Sequence, residues 1–392
     1  MKKVMTALVA TAFLASLTPT ASAETSKGEP DFAQDRVLVK MKPGKDEKDL
    51  TNRYDVEKVL DLQEWKVLKV KAGDAKTMKE KLIGEWDVAD VELDYVVHSA
   101  TYWSDDRCPT PPPKPFPGPR PPYFDKLNLL KAWEKTLGSK ERTIGLFDTG
   151  VDLEHKGLID KLVSGYDFVE RSSNPIDQNG HGTYVAGIMA GAANEELGSS
   201  GIDPSAMIMP LRVLDKEGVG YTSNVLEAMY YAVEKGVNVF NLSLAGGEYS
   251  DAFQDTINYS FEKGVVIVAA AGDDGGEKAV FPAAYENVLS VGAVDQEFKP
   301  ADFSNYGGWV SLAAPGVGME TTARSGGIVT DLKGSSYSAA FVSGLTTLTW
   351  STNLQMSNKE VIERLLNTAK QIEGTEKYTK YGLINPYDAI FY

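Results

Sequence analysis

From Tyr123 to Tyr392, apolar runs of strand length alternate with amphipathic segments of helical period, and this alternation restricts the fold more than any other feature of the chain. Strands are predicted at Thr143 to Phe147, Met207 to Val213, Val237 to Leu244, Val265 to Ala271 and Val288 to Val294. Helices are predicted between several of them, among them Thr222 to Lys235 and Phe253 to Lys263. Runs that are apolar on both faces require cover on both faces, so the reading is an α/β fold with a parallel sheet between two helical layers. In such sheets chemistry gathers where strands end and the following helices begin.

The first 122 residues follow other rules. Lys2 and Lys3 precede an apolar stretch from Val4 to Leu17, and Ala21-Ser22-Ala23 closes it with small residues, the pattern of a secretory signal over 1–23. Next come a strand at Arg36 to Lys42, a helix at Lys45 to Tyr54, extended chain at Val59 to Ala72, a helix at Ala75 to Trp86 and a strand at Val88 to Val97. Together they form a small β-α-β-β-α-β unit. Cys108 to Pro122 is too rich in proline for helix or sheet and reads as an extended linker. The expected division is 1–23 signal, 24–102 small α+β unit, 103–122 linker and 123–392 main unit. A net charge of -15 opposes binding to a phosphate backbone, and no run is long and apolar enough to span a bilayer, so neither nucleic acid nor a membrane span is expected. The single cysteine, Cys108, has no intramolecular partner.

Three segments of the main unit could carry chemistry. Asp148 ends an apolar strand and runs into the Thr149-Gly150 turn; such a carboxylate could cap the turn, hold a metal or accept a phosphate. His181 stands between Gly180 and Gly182 ahead of a helix of small and apolar residues. It is one of three histidines and the natural candidate for proton transfer near neutral pH. Gly334-Ser335-Ser336-Tyr337-Ser338 opens a third helix, where a hydroxyl would lie beside free backbone N–H groups, as an acyl-transfer nucleophile requires. From the residues alone, Ser335, Ser336 and Ser338 compete for that part.

In these contexts the order Asp, His, Ser resembles the subtilisin-like serine proteases (peptidase S8), in their thermitase-like branch. The resemblance covers about Asp125 to Tyr392 and includes Ser243-Leu244-Ala245-Gly246 and Leu312-Ala313-Ala314-Pro315-Gly316. It implies that Ser336 is the nucleophile, His181 the general base and Asp148 the group that orients the base, with no cofactor in the chemistry. It implies that Ser243, Leu244, Ala245 and Gly246, together with Ala270, Ala271 and Gly272, border a cleft for an extended peptide. Val37 to Lys40 through Asp94 to His98 resembles the family's inhibitory prodomain of the inhibitor I9 type, a ferredoxin-like α+β unit. That implies self-cleavage at about Ala100 to Trp103. The implied partners are a peptide or protein substrate and the chain's own prodomain, and the implied protein is a secreted, monomeric endopeptidase.

The pattern is broken in places. Where the family has Ala-Ala-Gly-Asn, with the Asn side chain donating to the oxyanion, this chain has Ala270-Ala271-Gly272-Asp273. A carboxylate donates only when protonated. Loss of that donor costs about 10² to 10³ in turnover, a magnitude established on subtilisin, itself a member of this family. Ser335, Tyr337, Ala340, Phe341 and Tyr184 replace the family's Thr, Met, Pro, His and His, which suggests a reshaped cleft. Gly157 stands where relatives place a calcium carboxylate, so tight calcium is not expected there although Asn194 remains; Asp167 and Glu170 are the residual acidic candidates. These departures motivate a rival reading, a catalytically silent subtilase-fold protein that binds peptides or regulates a protease. An esterase with the same triad ranks below both, since nothing resembles a lipid-binding lid.

Overall fold

The computed structural model describes residues 30–71, 73–100, 122–192, 200–371 and 377–392. The expected signal, the linker with Cys108 as far as Pro121, and Asn194 lie outside the described residues; Pro122, expected as the last linker residue, opens a helix. The amino-terminal part is β1 (Phe32–Met41), α1 (Glu47–Tyr54), β2 (Glu57–Leu62), β3 (Trp65–Lys69), α2 (Ala75–Leu82) and β4 (Val88–Ser99). Its four strands are antiparallel in the order β4-β1-β3-β2, the ferredoxin-like arrangement that the β-α-β-β-α-β reading implies.

The main part begins with α3 (Pro122–Lys126), α4 (Leu129–Lys135), β5 (Thr143–Asp148), β6 (Tyr166–Asp167), α5 (His181–Ala190), β7 (Met207–Arg212) and β8 (Val219–Tyr221). There follow α6 (Thr222–Glu234), β9 (Val239–Leu242), β10 (Leu244–Ala245), α7 (Asp251–Glu262), β11 (Val266–Ala270) and β12 (Val288–Val294). The chain closes with β13 (Leu312–Pro315), β14 (Val317–Thr322), β15 (Ile328–Lys333), α8 (Ser335–Ser351), α9 (Asn358–Thr368), β16 (Gly382–Leu383) and α10 (Pro386–Phe391). Eight strands form one parallel sheet in the order β16-β13-β12-β11-β9-β5-β7-β6. Separate apolar cores cover its two faces. One is built around α5 and α8, the other around α6 and α7.

The predicted strands at 143, 207, 265 and 288 occur within two residues of their expected ends, because each is a continuous apolar run that only burial on both faces can satisfy. The predicted strand Val237 to Leu244 is divided into β9 and β10, since at Ser243 the chain leaves the central sheet to pair elsewhere. Helix α8 carries no polar face: Ser335 to Trp350 are all buried, so its period conveys position poorly and its small residues convey it well.

The amino-terminal unit rests on α6 and α7. Trp65, Leu38 and Val97 belong to the same apolar core as those helices. Two carboxylates of β4, two residues apart and hence on one face, sit at the amino ends of the two helices. Asp94 accepts from the Ser223 N–H (2.8 Å) and Ser223 Oγ (2.7 Å) at the start of α6, and Glu92 accepts from the Asp251 N–H (2.6 Å) and Ser250 Oγ at the start of α7. Each thus supplies an acceptor that the helix itself lacks, where the helix dipole favours negative charge. Asp94 is fully buried and lies 3.4 Å from Arg36. In a Ser336→Ala precursor, Asp94→Ala should loosen this docking by about 2 kcal/mol, roughly thirtyfold in the undocked population. Limited trypsin digestion should then degrade residues 30–100 correspondingly faster; unchanged digestion would show that the cap contributes nothing to docking.

Candidate active site

Asp148 is the last residue of β5, His181 the first of α5 and Ser336 the second of α8, and the parallel order of the sheet brings these three ends together. His181 Nδ1 lies 2.7 and 2.9 Å from the two carboxylate oxygens of Asp148, and both residues are buried. The contact is close because Gly182 has no side chain: a Cβ there would lie 2.0 Å from the Gly150 carbonyl oxygen. That is the packing reason for glycine beside the histidine. Burial pulls the His181 imidazolium toward deprotonation, but the charge and hydrogen bond of Asp148, with Asp177 and Asp273 nearby, outweigh it, so its pKa is raised.

Asp177 holds this corner together, and sequence reading did not single it out. Its Oδ1 accepts from Thr149 Oγ1 (2.9 Å), the Asn179 N–H (2.9 Å) and the Gly180 N–H (2.8 Å); its Oδ2 accepts from the Thr183 N–H (3.0 Å) and Thr183 Oγ1 (2.6 Å). One buried carboxylate therefore fixes the turn after Asp148 to the first turn of the His181 helix. Its signal in the sequence was an Asp four residues ahead of a helix-opening His, within reach of the unpaired N–H groups there. Asn241 was also missed. This buried strand residue donates to Ser243 Oγ (2.8 Å), which donates to the Ser336 carbonyl (3.0 Å), joining β9 to the start of α8.

The three candidate serines have different surroundings. Ser338 Oγ donates to the Ala314 carbonyl (3.0 Å), and Ser335 Oγ accepts from the Gly272 N–H (3.0 Å). Ser336 Oγ alone of the three meets β4: it donates to the carbonyl oxygen of Ala100, just past the end of that strand, and reaches the Ser243 carbonyl at 3.2 Å. The Ser336 N–H also points at the Ala100 carbonyl oxygen, 3.2 Å away. His181 Nε2 has no hydrogen-bond partner among the described residues.

Beyond Asp94, β4 runs between β8 and β10, with Val96, Val97 and His98 opposite Tyr221, Gly220 and Val219, and His98 and Ser99 opposite Ala245 and Leu244. The Ala100 N–H completes the ladder on the Ser243 carbonyl at 3.1 Å. At Gly246 a Cβ would lie 2.7 Å from the Val96 carbonyl oxygen, so the strand passes only because that residue is glycine. Ser243, Leu244, Ala245 and Gly246 thus line an extended segment. Ala271 and Gly272 form hydrogen bonds with Val291, Asn305 and Ser335, and none of these runs to β4.

Asp273 stands at the rim of the same corner. Its Oδ1 accepts from the Ser335 N–H at 2.9 Å, while its Oδ2 is buried with no partner among the described residues. Tyr337 is buried on the inner side of α8, its ring centroid 6.0 Å from that of His181. Asp167 is neither a solvated acidic loop nor an open cation site: it is buried against Arg212 at 2.6 Å, and its other oxygen accepts from the Val169 and Glu170 N–H groups. Among the described residues Asp90, Glu92 and Asp251 are close enough together to hold a cation, but Glu92 is already committed to the start of α7.

Residues 139–383 match the family model described as the subtilase family, peptidase S8. The chain belongs to that family. Residues 18–94 match the model of the fervidolysin N-terminal prodomain. The chain is 42% identical to a thermophilic serine proteinase of Bacillus sp. (strain AK1), over 70% of this chain and 67% of that protein. It is 38% identical to thermitase of Thermoactinomyces vulgaris, over 70% of this chain and 99% of thermitase, and 35% identical to subtilisin BL of Lederbergia lenta, over 67% and 95%. By family membership this subtilase is a serine-type endopeptidase with an amino-terminal prodomain, and the family's chemistry needs no cofactor.

Asp177→Ala should lower turnover by about tenfold to a hundredfold by releasing the His181 helix. Removing its charge should also lower the His181 pKa, so the acid limb of the pH–rate profile moves to lower pH. A drop in rate with an unmoved acid limb would mean that the residue is only structural.

Proposed function

We propose that this subtilase is a secreted endopeptidase that cleaves its own precursor after Ala100, with Ser336 as nucleophile, His181 as general base and Asp148 as the group that orients the base. The observation that carries the reading is the meeting of Ala100 with Ser336: a carbonyl at the end of an extended, cleft-bound strand, facing both the hydroxyl and the backbone N–H of one serine. In the reaction Ser336 Oγ attacks the Ala100 carbonyl carbon and its proton passes to His181 Nε2. The negative charge that develops on the carbonyl oxygen is met by the Ser336 N–H. Collapse of the adduct breaks the bond to Thr101, whose nitrogen takes the proton from His181. Water then releases the acyl-enzyme by the same steps in reverse roles. Asp148 fixes the tautomer that leaves Nε2 free to accept.

After cleavage the carboxyl end of β4 stays in the cleft, held by β8, β10 and the two carboxylate caps, so residues 24–100, the expected 24–102 unit cut at Ala100, act as an inhibitor until they are degraded or released. Export rests on the Lys2 to Ala23 pattern, and 103–122 is read as the linker ahead of the catalytic unit. Along the bound strand Val97 and Ala100 are buried, so substrates are expected to carry a small residue at the cleaved bond and an apolar one three residues before it. A structural calcium ion is not part of the reading.

The rival, a silent peptide-binding subtilase, draws on one observation: Ser336 Oγ is hydrogen-bonded to carbonyl oxygens and His181 Nε2 to none of the described residues. Hydrogen bonds of this kind commonly close only as the reaction proceeds. Intact mass of the exported protein decides between the two. Wild type should lose everything through Ala100 and begin at Thr101, while Ser336→Ala stays whole. Equal trimming of both chains would make the silent reading the better one.

A further inference from the structure

Asp273 offers a second device at the same site, and the argument for it rests on the serine-protease reading above. Ser335 and Ser336 are consecutive residues at the amino end of α8, where backbone N–H groups are unpaired and point out along the helix axis. The first N–H is taken by Asp273 Oδ1 at 2.9 Å and the second faces the Ala100 carbonyl oxygen at 3.2 Å. The carboxyl group and the carbonyl to be attacked are therefore held by adjacent donors of one helix end. The other carboxyl oxygen, Oδ2, is buried and receives no hydrogen bond from the described residues. An ionised carboxylate would leave that oxygen's charge uncompensated at the same helix end that holds a carbonyl about to become an anion. A proton on it turns the orphan acceptor into a donor.

We infer that Asp273 works as a neutral carboxylic acid whose Oδ2–H donates to the developing oxyanion, supplying with a proton the contact that the family's Asn supplies with an amide. Asp273 keeps this proton throughout. The proton that moves is the Ser336 hydroxyl proton, which goes to His181 and then to the leaving amine. Burial, and then the neighbouring Asp274, push the Asp273 pKa up against the opposing hydrogen bonds of Ser335 and the charge of His181, to about 7. Asp273 itself lines an open cavity together with Asp274, Asp295, Asp302 and Lys333, so carboxylates outnumber the one cation there. Neutral Asp273 also removes one of the negative charges that raise the pKa of His181, which leaves the base free at lower pH. The enzyme therefore needs His181 deprotonated and Asp273 protonated together, and works in a narrow band that closes on the alkaline side.

The test is the pH dependence of kcat/KM for wild type, Asp273→Asn and Asp273→Ala, made as full-length chains, on a peptide substrate with no group titrating between about pH 5 and 10. Wild type should fall about tenfold per pH unit above about pH 7, Asp273→Asn should hold its rate to pH 9 and exceed wild type there by about 10², and Asp273→Ala should lie about 10² to 10³ below wild type at pH 6. The same alkaline fall in Asp273→Asn, or full activity of Asp273→Ala at pH 6, would overturn the inference. Labelling of Ser336 by a fluorophosphonate reports separately on the fold and the nucleophile in each chain. If wild-type Ser336 is not labelled and no chain hydrolyses the peptide, it is the serine-protease reading that fails, and the donor role falls with it.

Discussion

A carboxylate carried into a protein interior must find donors there or give up its charge, and the arrangement of this molecule follows from how its buried acids meet that demand. Asp177 gathers five donors and so fixes the turn after Asp148 to the helix that begins with His181. Asp148 takes the Thr149 N–H (2.7 Å) and the His181 ring. Asp94 and Glu92 take the open ends of α6 and α7. Asp167 takes Arg212. Asp273, half-buried, keeps one buried oxygen with no donor among the described residues, and it lies beside the candidate nucleophile.

These caps join parts of the chain that are far apart in sequence. Because Asp94 and Glu92 lie two residues apart on one strand, they share a face and reach two helix ends at once. The strand pairs with β8 from Val96 and with β10 from His98, and its ladder continues to the Ala100 N–H. The register of that ladder, and not any single contact at Ser336, determines which carbonyl meets the serine, since a slip of one residue would turn every side chain over.

Much of the architecture was legible beforehand because it rests on burial. Val265 to Ala271 and Val288 to Val294 are strands in the sequence for the reason that they are strands in the fold: only a sheet covered on both faces hides such runs. The short pieces were not legible. Strands β6 and β16 are two residues long and carry no period, and β10 is part of an apolar run that continues β9 until Ser243 turns it toward another partner. At the site, Asp148, His181 and Ser336 stood out by their places at element ends and by family pattern. Asp177 and Asn241 did not, because an Asp ahead of a helix and an Asn on a strand acquire meaning only from the groups that fold against them.

The sequence by itself determined the layer order, the β-α-β-β-α-β unit, the position of each candidate side chain at the end of an element, and the replacement of an amide by a carboxylate at Asp273. These are local matters of period, turn chemistry and residue type. Tertiary structure decided which serine meets the bound strand: only family pattern separated Ser335, Ser336 and Ser338 in the sequence, and in the fold they differ in what packs against them. It also decided that Arg212 neutralises Asp167, that Gly246 lets β4 pass, and that one oxygen of Asp273 has no donor. Each of these depends on the distance between atoms far apart along the chain, and only the folded packing sets such distances.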